Sequence, residues 1–115
     1  MLKIYICNAF SINMLEGDVK VSFAKVSDPV EWIEEWMPHF DSGKAEMLNA
    51  VGHESTAAVM NSILPVDVVM NRITVSLDDE SALLVAQYKG PRLEEGVTEL
   101  PEGAHIEWWT VSVVG

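Results

Sequence analysis

The stretch DVKVSFAKVSDPVEWIEEWM, residues 18–37, contains two different hydrophobic periods, one directly after the other. Residues 18–26 alternate between polar and apolar side chains, which is typical of a β-strand with one buried face. The triplet Ser27-Asp28-Pro29 then supplies a capping residue and a first-turn proline. The apolar residues that follow fall on one face of a helix, which Pro38 is expected to end. A chain that passes from one period to the other folds into a mixture of strands and helices.

The rest of the chain extends this mixed pattern. Residues 2–8 alternate like a strand and lead into a polar loop over 8–13. The other predicted elements are helices over 42–51 and from 53–55 to about 64, a hairpin of strands over 71–77 and 81–89, and a last strand over 104–114. We therefore predict one domain over residues 1–115 with an α+β (α/β) fold, in which helices pack on a single mixed or antiparallel sheet of about five strands. The adjacent Trp108 and Trp109 are expected on opposite faces of that sheet.

The charge balance restricts the partners of this chain. Its 115 residues include 18 acidic and seven basic ones, which gives a net charge of −11. Proteins bind long nucleic acids by neutralising many phosphates with lysine and arginine, so a broad nucleic-acid interface is not expected. A small, compact anion could still bind where a few cations and backbone N–H groups converge.

The N-terminal sequence and the single cysteine indicate the compartment. No stretch approaches the ~18 continuous apolar residues of a membrane span, and the N-terminus lacks the long apolar stretch of a signal peptide. Cys7 is the one cysteine and lies in an apolar predicted strand. A thiol without a partner fits reducing surroundings, so we expect a cytoplasmic protein that does not contact a membrane.

The sequence GHEST, residues 52–56, combines groups that suit phosphate chemistry. It places His53 at a predicted helix start, beside the hydroxyls of Ser55 and Thr56 and several free backbone N–H groups. Such a site could hold a phosphate and move a proton next to it. The alternatives are an exposed histidine without a function and hydroxyls that only cap the helix.

Arg72 and Arg92 are the only arginines of the chain. Either guanidinium could bind a phosphate, and Gly90-Pro91 restricts the approach of the chain to Arg92. Glu95 could orient the histidine of GHEST or an attacking hydroxyl. The alternatives are a surface arginine at the start of a strand for Arg72, an ion pair with Glu94-Glu95 for Arg92, and a solvated carboxylate for Glu95.

Polar residues follow the first predicted strand. Asn8, Ser11 and Asn13 lie after its end, which is a usual position for ligand contacts. The alternative is turn formation, because asparagine and serine favour turns in any protein.

The sequence contains no pattern for a metal or a nucleotide-binding loop. His39 and His105 lack metal-ligand spacing with His53 or with each other, and we predict no metal site. The acidic residues 78–80 are expected at a solvated hairpin tip. A glycine-rich phosphate loop of Walker or Rossmann spacing is also missing.

Four segments together resemble the viral ring nucleases. NAFSINML (8–15), GHEST (52–56), the Asn71-Arg72 pair and RLEEG (92–96) occur in the order and approximate spacing seen in that family. Its members are small anti-CRISPR proteins of archaeal viruses and bacteriophages, with relatives in some bacterial genomes. The resemblance covers nearly the whole chain, although residues 16–51 contribute little to it.

The resemblance implies an activity and a set of site residues. Members of this family degrade cyclic tetra-adenylate, the second messenger of type III CRISPR systems, without a metal or other cofactor. They are homodimers that bind the ring across the two-fold axis. Catalytic roles are implied for His53, Arg92 and Glu95, and substrate contacts for Asn8, Ser11, Asn13, Ser55, Thr56 and Arg72. In a virus, such a protein would act in the cytoplasm of the host cell.

The implied reaction uses the ribose 2′-OH of the substrate as the nucleophile. His53 would protonate the leaving 5′-oxygen, while Arg92 and backbone N–H groups would stabilise the phosphorane. Glu95 would position the 2′-OH or hold the imidazolium form. The products would be linear di-adenylates, first with 2′,3′-cyclic phosphate ends.

Two other functions fit parts of the sequence. The first is a sponge that binds a cyclic nucleotide without cutting it. The second is an acidic decoy that binds a basic protein, which the net charge of −11 suggests. That charge would slow the encounter with an anionic ligand unless the cleft of a dimer is locally positive.

Overall fold

The computed structural model describes residues 2–114 and contains one five-stranded sheet. The elements are β1 (Leu2–Cys7), a 3₁₀ turn (Ile12–Met14), β2 (Lys20–Val26), α1 (Pro29–Asp41), β3 (Ala45–Ala50), α2 (Glu54–Ile63), β4 (Ser81–Lys89) and β5 (His105–Val114). The strand order in the sheet is β2-β5-β4-β1-β3. The predicted α+β fold with a single mixed five-stranded sheet is confirmed.

β1 determines the arrangement of the sheet, because it pairs in parallel with β3 on one side and with β4 on the other. β5 then pairs antiparallel with both β4 and β2. The last four residues of β1 are buried on both faces, which is typical of a strand inside a covered sheet. Because β1, β3 and β4 run in the same direction, their carboxyl ends lie at the same edge of the sheet.

Each face of the sheet has its own core. α1 and α2 cover one face, and we call the cluster beneath them the helix-side core. The opposite face is covered by the chain around the 3₁₀ turn and by residues 75–77, and its cluster is the loop-side core. Trp108 packs in the helix-side core and Trp109 against the loop-side core, so the predicted opposite placement of the two indoles is confirmed.

α1 begins at Pro29 as predicted, with the side chain of Asp28 capping its first turn. It ends later than predicted, because Pro38 lies inside the helix and the helix continues to Asp41. Pro38 lacks an N–H donor and its ring crowds the preceding turn, but its own carbonyl still accepts the N–H of Ser42 at 3.0 Å. Phe40 in this last turn packs against the helix-side core, which stabilises the extension.

The predicted helix over 42–51 is wrong, because this stretch contains β3 at the edge of the sheet. Its residues are Ala-Glu-Met-Leu-Asn-Ala, which intrinsically favour a helix. Pairing with β1 overrides that preference. Met47 lies opposite Ile4 and packs against the helix-side core, whereas Leu48 lies opposite Tyr5 and packs against the loop-side core.

The predicted strand over 71–77, and with it the hairpin to residues 81–89, is also wrong. β4 pairs with β1 and β5 instead. Residues 71–77 form no strand, and the apolar Val75 and Leu77 are buried against the loop-side face of the sheet. The N–H of Leu77 donates to the carbonyl of Met14 at 2.8 Å. Alternating burial therefore arises here from a chain that lies on a sheet without joining its ladder.

Cys7 provides a test of how deeply β1 is buried. Its side chain is 1% exposed, and burial raises the pKa of the Cys7 thiol from 9.0 to about 12. Because the thiolate is the reactive form, we expect the native protein to leave an aromatic disulfide reagent almost unreacted at mildly alkaline pH. The denatured protein should react with one equivalent of reagent per chain, measured by absorbance. Fast labelling of the native protein would contradict the central position of β1.

Candidate active site

The predicted motifs lie at one edge of the sheet, where the parallel strands β1, β3 and β4 end. Asn8 follows the end of β1, Gly52 and His53 follow β3, and the loop that begins at Gly90 follows β4. The carboxyl ends of parallel strands are the usual place for a ligand site in such sheets. Segments that are far apart in the sequence therefore become neighbours through strand pairing alone.

A cleft of about 740 Å³ lies at this edge. It is bounded by the start of α2, by the chain around residues 70–72, and by the end of β4 with the loop that follows it. The lining residues are His53, Glu54, Ser55, Thr56, Met70, Arg72, Tyr88, Gly90, Arg92, Leu93 and Glu95. The cleft thus brings together both arginines of the chain and six of the nine predicted site residues, namely His53, Ser55, Thr56, Arg72, Arg92 and Glu95.

His53 occupies the position that precedes the first turn of α2. Its backbone is extended, with φ −132° and ψ 132°, and its carbonyl accepts the N–H of Ala57 at 3.0 Å. The imidazole is exposed and makes no capping hydrogen bond. The first-turn N–H groups have neither an intrahelical partner nor a side-chain cap, so this helix end attracts anions.

The hydroxyls of Ser55 and Thr56 do not cap the helix, which corrects that alternative. Both lie within the first turn, and the cap position belongs to His53. Ser55 Oγ instead donates to the carbonyl of Glu94 at 3.0 Å and connects α2 to the loop after β4. Thr56 lines the cleft, and its hydroxyl makes no hydrogen bond within residues 2–114.

Gly52 is held from both sides, which fixes the approach to His53. Its N–H donates to Oδ1 of Asn8 at 3.3 Å, and its carbonyl accepts from Nε of Arg72 at 3.0 Å. Asn8 therefore connects the ends of β1 and β3 and does not itself line the cleft. Arg72 lies in a segment without regular secondary structure, not at the start of a strand. Its remaining guanidinium N–H groups have no described carboxylate within ion-pair distance.

The loop after β4 starts at a close backbone contact. Gly90 has a φ of 150°, and a Cβ at this position would lie 2.6 Å from Cβ of Ala104. The Tyr88 hydroxyl donates to the carbonyl of Pro91. The ion pairs of the described chain do not include Arg92, so the predicted alternative of a pair with Glu94-Glu95 is wrong.

Ser11 caps the 3₁₀ turn after β1 and Asn13 lies within that turn, and neither residue lines the cleft. Ser11 Oγ accepts the N–H of Asn13 at 3.3 Å, and both residues are exposed. Ser11 thus has the turn-forming role that was the alternative for these residues.

Five lining residues were not predicted as site residues. Glu54, Gly90 and Leu93 lie within or beside the quoted motifs, whereas Met70 and Tyr88 lie outside them. The alternation of β4 places Tyr88 on the same face as Leu84 and Ala86, beneath the helices, and this signal could have identified it. Met70 forms an isolated bridge with Val51, which no local pattern predicts.

The described residues form neither a metal-binding cluster nor a membrane-spanning helix. Between residues 2 and 114, no three His, Cys, Asp or Glu side chains lie close enough together to hold a metal ion. None of the helices in this range has the length and apolar character needed to cross a membrane.

Comparisons with known proteins agree with this fold. A family model described as STIV B116-like matches residues 4–107. Uncharacterized protein 26 of Sulfolobus islandicus filamentous virus is 34% identical over 113 residues, covering 91% of this chain and 87% of that protein. The structure of B116 of Sulfolobus turreted icosahedral virus is similar, with a TM-score of 0.74 at 27% identity over 96% of this chain and 98% of that one.

The family match includes every residue of the cleft, from His53 to Glu95. The two relatives are both encoded by viruses, and each alignment extends over most of both chains. The chain therefore belongs to the STIV B116-like family.

Proposed function

We propose that this protein is a metal-independent ring nuclease that cleaves cyclic tetra-adenylate and thereby suppresses type III CRISPR defence. The observation that carries the proposal is the convergence of His53, Arg92 and Glu95 in one cleft with Arg72 and the start of α2. Although the chain has a net charge of −11, both of its arginines line this cleft. The placement of both arginines in the cleft supports an anionic ligand. The resemblance of four segments to the viral ring nucleases is the reason for proposing cyclic tetra-adenylate as that ligand.

The proposed reaction needs no nucleophile from the protein. The ribose 2′-OH attacks the adjacent phosphorus, so that the bond from O2′ to phosphorus forms while the bond from phosphorus to O5′ breaks. The carboxylate of Glu95 takes the 2′-OH proton, and the imidazolium of His53 gives its proton to the leaving 5′-oxygen. The first product is a linear adenylate with a 2′,3′-cyclic phosphate end.

Negative charge on the phosphorane would be stabilised from two directions. Arg92 and Arg72 supply guanidinium groups at the cleft, and the uncapped N–H groups of α2 supply fixed dipoles. Donors that are held before the reaction begins do not have to reorganise when the charge develops, which is why they favour the transition state.

We further propose that the active form is a homodimer. One cleft supplies one His53. Conversion of a ring of four nucleotides into two di-adenylates requires cleavage of two opposite phosphodiester linkages. A two-fold axis through the ring would present each catalytic group twice, which matches the symmetry of the substrate.

Replacement of His53 tests the general-acid role. We expect His53→Ala to slow cleavage of labelled cyclic tetra-adenylate by about 10²–10⁴-fold with affinity largely retained, because the arginines remain. Single-turnover chromatography and equilibrium binding give the two quantities. His39→Ala, on α1 and outside the cleft lining, is the matched control and should cleave like the wild type. If the wild type binds the ring but leaves it intact, the protein is a sponge and the nuclease proposal fails.

Replacement of Arg92 tests whether the cleft binds the phosphates. We expect Arg92→Ala to weaken binding of the ring by at least about tenfold, because a charge-assisted hydrogen bond contributes ~1.5–3 kcal/mol. Lys25→Ala removes a cation that lies beside Glu107 and outside the cleft lining, and should leave the affinity unchanged. Equal affinities of wild type and Arg92→Ala would contradict the proposal and favour the acidic decoy.

Chelation tests the role assigned to the 2′-OH. Because protein groups carry every proton transfer in the proposed reaction, cleavage should proceed at an unchanged rate in excess EDTA. Loss of activity on chelation, with recovery on addition of Mg²⁺ or Mn²⁺, would refute this mechanism. The measurement is the time course of product formation with and without chelator.

A further inference from the structure

The loop over residues 90–104 carries Arg92 and Glu95 but has few contacts that hold it. Its own backbone hydrogen bonds span three residues each, from Val97 N–H to the Glu94 carbonyl at 3.3 Å and from the N–H of Ala104 to the carbonyl of Pro101 at 3.1 Å. No residue of this described loop belongs to the helix-side or the loop-side core. A segment without core contacts opens easily unless other groups restrain it.

Tyr88 provides the first restraint. It lies near the end of β4, its side chain lines the cleft, and its hydroxyl donates to the carbonyl oxygen of Pro91. That oxygen belongs to the peptide unit that joins Pro91 to Arg92. The hydrogen bond therefore fixes the backbone from which the Arg92 guanidinium extends.

Ser55 provides the second restraint. Its Oγ donates at 3.0 Å to the carbonyl oxygen of Glu94, which belongs to the peptide unit that joins Glu94 to Glu95. Ser55 lies in the first turn of α2, two residues after His53, so the same bond sets the loop against the histidine. A serine hydroxyl has one proton to donate, and this proton is not available to a substrate phosphate while the bond exists.

We infer that Tyr88 and Ser55 are positioning residues, whose hydroxyls hold Arg92 and Glu95 opposite His53. Each hydroxyl binds the carbonyl immediately before a proposed catalytic residue, so the two restraints act at the points where position matters most. The effect on catalysis rests on the proposed function, whereas the effect on the loop does not. Ser55 thus connects α2 to the loop and is not the substrate contact that the resemblance implies.

The first experiment measures the free protein, without substrate. Hydrogen exchange of the Val97 amide, whose N–H donates to the Glu94 carbonyl, is compared for Tyr88→Phe, Ser55→Ala and two matched controls. The controls are Tyr5→Phe, the only other tyrosine, and Ser62→Ala, whose Oγ donates to the Val59 carbonyl within α2. We expect exchange to accelerate about fivefold in each test variant, the equivalent of one neutral hydrogen bond, and to stay unchanged in both controls. Unchanged exchange in the test variants would overturn the inference.

The second experiment separates positioning from substrate contact. In single-turnover cleavage of cyclic tetra-adenylate, Tyr88→Phe and Ser55→Ala should slow the chemical step about fivefold or more, with less than about a twofold change in affinity. Ser55→Thr keeps the hydroxyl and should restore the rate. A large loss of affinity in Ser55→Ala, together with unchanged exchange of the free loop, would show a direct phosphate contact and overturn the assignment.

The two experiments distinguish an error in the proposed restraints from an error in the proposed nuclease activity. If the wild type does not cleave the ring but both test variants loosen the loop, the restraints are supported and the nuclease proposal falls. If the wild type cleaves and the loop exchanges alike in every variant, the nuclease proposal stands and the restraints fall. Circular dichroism of Tyr88→Phe and Ser55→Ala confirms that the sheet is intact, which is expected because each of these two substitutions removes only a hydroxyl from a residue at the cleft.

Discussion

Parallel pairing of β1 with both β3 and β4 is the constraint on which the site depends. It sets three strand ends side by side, and each end continues into a segment that carries polar or charged groups. The first continues into Asn8, the second into Gly52 and the start of α2, and the third into the loop of Arg92. The apolar faces of β1 keep this strand in the interior, so the burial of four consecutive side chains fixes the position of groups that lie outside the core.

An acidic protein can direct both of its arginines to one cleft because its basic groups are used in different ways. Lys25 and Lys89 lie 3.5 Å and 3.0 Å from the Glu107 carboxylate, and Lys89 holds the pKa of that carboxyl below its usual range. These charges are offset locally. The two arginines lack such a partner among the described residues, and Arg72 donates one N–H to the neutral carbonyl of Gly52. Their guanidinium groups therefore stay available in the cleft, where Glu54 and Glu95 balance the formal charge and the dipole of α2 adds a local positive potential.

Local patterns predicted most of the fold and a large part of the site. Alternation identified four of the five strands, and capping signals identified α1, because each of these features depends on neighbouring residues. β3 is not predicted because its residues favour a helix and pairing with β1 overrides that preference. A strand is wrongly predicted over residues 71–77 because burial on a sheet face gives the same alternation as pairing within a sheet. In the site, the predicted site residues after β3 and β4 line the cleft. The alternation of β4 gives the face on which Tyr88 lies, but no spacing along the chain encodes its contact with the Pro91 carbonyl.

Gly90 follows β4 and Ala104 precedes β5, so their close approach closes the base of the loop that leaves the sheet between these two strands. That segment is closed at its base, so a change in its length need not move β4 or β5, and the entropic cost of a longer loop rises only slowly. This chain thus has a point beside its candidate active site at which the loop can vary in length. Exchange of this loop alone would change the lining of the cleft and leave the pairing of β4 with β5 in place.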